Sequence, residues 1–392
     1  MRDVYILEGA RTPIGTFGGA LKDINPTELG IIASKEALKR SGVRSEEVDV
    51  SVTGNIIDSA KNAPYIARHI SLGTGIPIES PSLTVNRLCG SGLQAVISVA
   101  QSIRLDEAEV GLACGTENMS LAPFSLRGSR FGTGLKAPQM DDMLWATLTD
   151  EHCGYGMGVT AENLAKKYEI SRESQDEFAL ESQKRAAKAR AEGVFADEIV
   201  PVEIKTRKGV KVIKDDEHIR EDTTIESLSR LKPAFEKEGT VTAGNASGIN
   251  DGAAALVLAS EAYVNETNKK PLARIVSWGI AGVDPEIMGI GPVPAIQQAL
   301  KRANLSLQDI EFFEVNEAFA AQYLAVEKEL NLDRSITNVN GGAIALGHPV
   351  GASGARVLYS LVLELKRRQK KYGVASLCIG GGQGIAMVVE AL

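Results

Sequence analysis

The chain has 392 residues, which at roughly 150 per domain predicts two or three domains and a large buried core. Hydrophobic residues make up 44% and charged residues 24%, which excludes a disordered chain, a collagen and a coiled coil. The formal charge of −7 argues against a general nucleic-acid binder, no segment approaches the roughly 20 apolar residues of a membrane span, and the start lacks the apolar core of a signal peptide. A soluble, cytoplasmic protein is expected.

Thirty-nine glycines without a short period, against 14 prolines, predict the tight strand-to-helix turns of an α/β enzyme. Cys89, Cys114, Cys153 and Cys378 lack the paired spacing of a zinc site and are too few for a disulfide framework. Free thiols, no metal site and no permanently bound cofactor are the expectation.

In chain order, the first predicted unit is an amphipathic helix ending near Gly42, then a turn, an acidic pair and an apolar strand over residues 48–52. A strand at Leu83-Thr84-Val85 leads through Cys89-Gly90-Ser91-Gly92 into a helix with Leu93, Val96, Ile97 and Ala100 on one face, and a strand over 110–114 follows. Between about 120 and 248 the composition shifts to glycine, charge and long polar helices, as in an inserted loop domain. Within it Ser171 caps a helix running to Gly193, with Glu173, Asp176 and Glu177 suited to its first turn. The basic run Lys205, Arg207, Lys208, Lys211 and Lys214 reads chiefly as a solvated hairpin, and residues 253–259 as a buried strand returning to the first half.

The second half repeats the first. Ala37-Leu38-Lys39-Arg40 recurs as Ala299-Leu300-Lys301-Arg302, and the match continues without a gap, Val43 with Leu305, Glu47 with Asp309, Val48 with Ile310 and Asp49 with Glu311. This second helix ends near Asn304 and its strand covers 310–315. Thr337-Asn338-Val339 is then a predicted strand, followed by a glycine loop containing Gly347-His348 and a helix with Val357, Leu358, Leu361, Val362 and Leu365 on one face. That helix ends in Lys366, Arg367 and Arg368, which complement its dipole, before a last long strand over 374–379. Such duplication predicts two related α/β halves with helices on both faces of each sheet.

Cys89 sits where a strand signal gives way to a helix, so backbone N–H groups and the positive end of the dipole can stabilise a thiolate; the plain alternative is a small residue at a tight turn. His348 lies in Gly-Gly-Ala-Ile-Ala-Leu-Gly-His-Pro-Val-Gly-Ala-Ser-Gly and is a candidate base for a thiol. His69 and His218 read as structural, and His152 stays open because Cys153 and Tyr155 adjoin it. Cys378 runs into Ile379-Gly380-Gly381-Gly382-Gln383-Gly384, whose bare N–H groups suit a developing oxyanion. Asn316 and Glu317 stand between a strand end and a helix start, and spacing alone does not choose their roles.

Together these residues resemble the thiolases over essentially the whole chain. The blocks that match are Glu8-Gly9-Ala10-Arg11-Thr12-Pro13, Asn86-Arg87-Leu88-Cys89-Gly90-Ser91-Gly92, Gly115-Thr116-Glu117-Asn118-Met119-Ser120, Thr242-Ala243-Gly244-Asn245-Ala246-Ser247 and Asn316-Glu317-Ala318-Phe319, with the loop around His348 and the turn after Cys378. The fold this resemblance implies is α/β: duplicated βαβαβαββ halves forming five layers, α-β-α-β-α, with an inserted loop domain. Its expected boundaries are 1–119 with 249–268 for the first half, 120–248 for the loop domain and 269–392 for the second half.

The activity it implies is acyl transfer between coenzyme A thioesters by a ping-pong route. Cys89 is the residue acylated, His348 takes its proton, and Cys378 exchanges a proton with the acetyl carbon as the carbon–carbon bond breaks or forms. Two oxyanion sites are implied: a water held by Asn316 with His348, and the N–H groups of Cys89 and Gly380. For coenzyme A the resemblance points to Arg220, Ser227, Leu231, Phe235, Ala243 and Ser247, with Met157, Ala318 and Phe319 along the acyl and pantetheine path. It also implies a homodimer, doubled to a homotetramer through the segment 121–143.

Many short-chain biosynthetic thiolases carry Tyr-His-Met-Gly where this chain has Tyr155-Gly156-Met157-Gly158, so room beside the acyl path and tolerance of longer 3-ketoacyl chains are expected. The segment 144–163 and Met288-Gly289-Ile290-Gly291-Pro292-Val293-Pro294 point the same way. Two other readings are a decarboxylating ketosynthase-type condensing enzyme, opposed by Cys378 where those enzymes place a histidine, and a non-catalytic acyl-CoA carrier, opposed by the intact Cys89, His348, Asn316 and Cys378.

Overall fold

The computed structural model describes residues 2–135, 137–207 and 209–392, so Lys208 of the basic run lies outside the described residues. The first half contributes strands β1 (Val4–Arg11), β2 (Val50–Gly54), β3 (Ser82–Val85), β4 (Val110–Asn118) and β5 (Asn250–Ser260). From the second half come β6 (Ala273–Gly282), β7 (Phe312–Val315), β8 (Tyr372–Ile379) and β9 (Gln383–Ala391). The strands follow the order β7-β8-β9-β6-β1-β5-β4-β2-β3. Outward from the β1–β6 seam the first four strands of each half match, with parallel pairing at β2–β4 and β7–β8 and antiparallel pairing nearer the seam.

The two sheets join edge to edge, Tyr5 pairing with Arg274 and Ile6 with Ala273. Three sequence expectations are corrected. The counterpart of β3, at Thr337-Asn338-Val339, is reduced to one bridge between Phe313 and Thr337. Asn338 is the reason, because at φ +47° its side chain takes the Val315 N–H at 2.9 Å and donates to the Val315 carbonyl at 2.8 Å, replacing ladder bonds. The strand bearing Cys378 is not the last, since β9 folds back on it through the turn at Gly380 to Gly382. In both halves the strand after the acidic pair starts two residues later than expected, behind a short 3₁₀ turn at Ser45–Glu47 or Leu307–Asp309.

The five layers are as expected. Helices α1 (Pro26–Ser41) and α2 (Ile66–Thr74) cover one face of the first half's sheet. On its other face α3 (Ser91–Arg104) packs between the two sheets, together with α8 (Ser353–Arg367) from the second half. The segment between the halves holds α4 (Met157–Tyr168) and α5 (Arg172–Ala191), the latter capped by Ser171, and the hairpin Val202–Thr206/Gly209–Ile213. Outside the second sheet lie α6 (Pro292–Ala303) and α7 (Ala320–Leu330). The repeat is visible in the caps: α1 ends on Gly42 and α6 on Asn304, both left-handed.

Where α3 meets α8 the backbones come into close contact. A Cβ at Gly92 would lie 2.7 Å from the Ala355 nitrogen and 2.9 Å from the Gly351 oxygen, and one at Gly354 would lie 2.3 Å from the Leu93 nitrogen. Two helix N-termini therefore meet, and each is preceded by a loop: Cys89 before α3, His348 before α8. Gly92→Ala should cost about 3 kcal/mol, because neither helix can yield without moving its sheet. A lowered denaturant midpoint at unchanged slope is the check.

Candidate active site

Cys89 follows Leu88, a non-glycine residue at φ +44°, so the backbone turns sharply there and presents the thiol half-buried at the head of α3. Ser91 fixes this turn, accepting from the Arg87 N–H at 2.8 Å and donating to the Leu88 carbonyl at 2.7 Å. Arg87 also reaches Gln383 at 2.9 Å, tying the loop to the β8–β9 turn.

Burial pushes the Cys89 thiol up to about 11; the nearby backbone N–H groups of Gly380 and of Cys89 itself oppose this, and the charge of Glu117 adds to the rise. The two N–H groups expected to form an oxyanion site therefore lie near this sulfur. Cys378 is buried, and its thiol is driven far up by burial and then by Cys89. Both thiols rest protonated. Because only thiolate is alkylated, the iodoacetamide rate at Cys89 should rise about tenfold per pH unit to pH 10, without the plateau near 8.5 of an ordinary thiol.

His348 is buried, and its backbone N–H is held by Asn250 Oδ1 at 2.9 Å. Its Nδ1 lies 2.6 Å from Ser353 Oγ, and that hydroxyl donates its single hydrogen to the Pro349 carbonyl at 3.0 Å. Nδ1 must then be the N–H donor, which leaves Nε2 as the free base, 3.5 Å from Asn316 Nδ2. Burial, followed by the positive charge of Arg356, lowers the ring to about 3, so it rests neutral. Asn316 Oδ1 is buried and accepts no hydrogen bond from the described residues.

The structure thus gathers Cys89, Gly380 and Cys378 on one side and His348 with Asn316 on the other. Among the described residues no direct hydrogen bond joins Cys89 to His348; Val350, two residues after His348, lines the cavity beside Cys89. A cavity beside Cys89 is lined by Ile56, Leu88, Thr147, Leu148, Met157, Val350 and Gly380. A Cβ at Gly156 would approach only the Leu148 oxygen, at 3.4 Å, so space exists there.

A second cavity, of about 240 Å³, is lined by Arg220, Ser227, Leu231 and Ala243 with Gln183 and His218. Phe235 meets Phe319 edge-on at 6.1 Å, the Ser247 N–H donates to the Ala318 carbonyl at 2.9 Å, and Met157 and Phe319 pack with Ala318 and Cys378. Of the residues expected on the coenzyme path, Arg220, Ser227, Leu231 and Ala243 line this second cavity and Met157 lines the one beside Cys89. His152 is exposed on a loop, and His69 stacks on Tyr65. His218, expected to be structural, instead faces the second cavity. Sequence reasoning missed Ser353, whose only signal is its place five residues after His348 at a helix start, and Ile56 and Val350, which carry no polar signature.

Comparison with known proteins agrees with this geometry. Residues 4–262 match the thiolase N-terminal domain and residues 269–391 the thiolase C-terminal domain. The mitochondrial 3-ketoacyl-CoA thiolase of Homo sapiens is 54% identical over 392 residues, covering 100% of this chain and 99% of that one. An acetyl-CoA acetyltransferase of Cupriavidus necator is 51% identical, with 100% of both chains covered. The crystal structure of human mitochondrial 3-ketoacyl-CoA thiolase in complex with CoA superimposes with a TM-score of 0.97 at 53% identity, covering 100% of this chain and 98% of that one. With both domains matched and more than half of all residues shared with a full-length relative, this chain belongs to the thiolase family.

Proposed function

We propose that the protein is an acetyl-CoA C-acyltransferase that cleaves 3-ketoacyl-CoA thiolytically, or condenses two acetyl-CoA, through an acyl group carried on Cys89. The observation that carries this reading is that Cys89 and Gly380 line one cavity with Met157, which also packs on the cluster holding Cys378. In the cleavage direction the Cys89 proton passes to His348 Nε2 as sulfur attacks the keto carbon, and the oxygen's charge settles on the Cys89 and Gly380 N–H groups. The carbon–carbon bond breaks, the acetyl enolate takes a proton from Cys378, and acetyl-CoA leaves. While that bond breaks, His348 and a water held by Asn316, whose Oδ1 has no partner among the described residues, stabilise the enolate oxygen. Incoming coenzyme A gives up its thiol proton to restore Cys378 and carries off the acyl group, and the released Cys89 thiolate takes back its proton from His348. Coenzyme A lies along Arg220, Ser227, Leu231, Phe235, Ala243 and Ser247, with its pantetheine arm passing Phe319, Ala318 and Met157.

Ser353 holds the tautomer this route needs. Ser353→Ala should lower kcat about 10- to 100-fold while the KM for CoA changes little, as steady-state thiolysis will read.

The space at Gly156 supports a broad range and a degradative, β-oxidation role. Parallel thiolysis of acetoacetyl-CoA and of a six- to eight-carbon 3-ketoacyl-CoA tests this: activity on both supports it, activity on acetoacetyl-CoA alone makes the protein an acetyl-CoA acetyltransferase, and cleavage of neither overturns the thiolase activity. The units 1–119 with 249–268, 120–248 and 269–392 belong to the same proposal. So does a homotetramer built through 121–143, where Phe124, Leu126, Phe131, Leu135 and Met140 are exposed. A light-scattering mass of two subunits would defeat it. No helix among the described residues is long and apolar enough to cross a membrane. A cytoplasmic location is proposed, and fractionation that finds the activity in an organelle would overturn it.

A further inference from the structure

Glu117 stands near the end of β4 and is fully buried. Its Oε1 accepts from Asn55 Nδ2 and the Ile57 N–H, each at 3.1 Å, and its Oε2 from the Ile56 N–H at 3.2 Å and the Gly351 N–H at 3.1 Å. Four donors fill the lone pairs of two oxygens. A protonated carboxyl would turn its O–H against one of those donors, so they favour the ionised form and oppose the burial that pushes this carboxyl up to about 8.

The donors come from two loops, one in each half. Residues 55–57 follow β2, and Gly351 lies in the loop between His348 and α8. A Cβ at Gly351 would sit 2.7 Å from Glu117 Oε2 and 2.6 Å from the Thr116 oxygen, so only glycine lets that loop close on the carboxylate. Ile56 and Val350, adjacent to these contacts, both line the cavity beside Cys89. Among the described residues no other side chain hydrogen-bonds both loops.

We propose that Glu117 is a positioning residue that fixes the Ile56 and Val350 walls of the acyl cavity against each other and so helps to set which acyl chains the enzyme accepts. This rests on the reading of that cavity as the acyl site. Removing the clamp loosens the walls, favours longer chains and shifts the His348 loop relative to Cys89.

Glu117→Gln keeps the shape, but its amide must face one donor pair without an acceptor; Glu117→Asp keeps the charge and falls a methylene short. Kinetics on four- and eight-carbon 3-ketoacyl-CoA should show the eight-to-four ratio of kcat/KM rising about fivefold in both variants, with kcat down about tenfold and the KM for CoA within about twofold. Because the carboxylate charge raises the Cys89 thiol, iodoacetamide inactivation should shift to lower pH in Glu117→Gln and stay in place in Glu117→Asp. Asn55→Ala removes one donor of the four and should give a smaller ratio change of the same sign even if the Glu117 variants do not fold. A ratio unmoved in folded Glu117→Gln, or in Asn55→Ala where Glu117→Gln does not fold, overturns the proposal. An inactive parent overturns the thiolase activity itself, and with it this role.

Discussion

Cys89→Ala should lower thiolysis by about 10⁴-fold or more and leave coenzyme A binding within about threefold of the parent. The argument is one of separation. The groups around the second cavity, Arg220, Ser227, Leu231 and Ala243, do not touch Cys89, so the coenzyme keeps its contacts when the sulfur is removed. What disappears is the atom beside the N–H groups of Gly380 and Cys89. Those donors remain, but without a nucleophile next to them they have no developing charge to stabilise. Stopped-flow thiolysis and calorimetric titration with CoA measure the two halves of this expectation.

Cys378→Ala should separate the two stages of the reaction. Acyl transfer from acetyl-CoA to Cys89 reverses the last step of cleavage, and coenzyme A can leave as a thiolate without the Cys378 proton, so acetylation should proceed at close to the parental rate. Cleavage of the carbon–carbon bond needs an acid at the acetyl carbon and should fall by about 10³-fold. The environment suits an acid: burial and the neighbouring Cys89 both hold the Cys378 proton in place. Exchange of labelled coenzyme A into acetyl-CoA, alongside acetoacetyl-CoA cleavage, reads the two stages. Equal loss of both would place Cys378 in the first stage and contradict its assignment.

The repeat was legible because its signals are local. A helix cap at Gly42 or Asn304, an acidic turn and an apolar strand each leave a mark within a few residues. The β1–β6 seam left none, since two residue pairs between strands more than 260 positions apart obey no local pattern. At 337–339 the strand expectation failed because one asparagine side chain supplies the bonds a ladder would have made. The Gln383–Ala391 strand is buried on both faces and lacks the alternation that marks a half-exposed one.

In the site, Cys89, His348 and Cys378 stood out by residue type beside glycine-rich turns, whereas the role of Asn316 came only from the family resemblance. Their supports did not stand out. Ser353 and Asn250 act through hydrogen bonds that only the folded loop creates, and Ile56 and Val350 matter by where they lie. Glu117 was visible only as part of a motif, and its four donors come from residues 60 positions or more away.

The central claim is that Cys89 carries the acyl group. Incubation with acetyl-CoA, acid quench and peptide mass analysis tests it most directly. The expected result is a single added acetyl group on the peptide containing Cys89, discharged when coenzyme A is supplied. Thiolysis at full rate with no acyl group on Cys89, or with the acyl group on Cys378, would contradict the account.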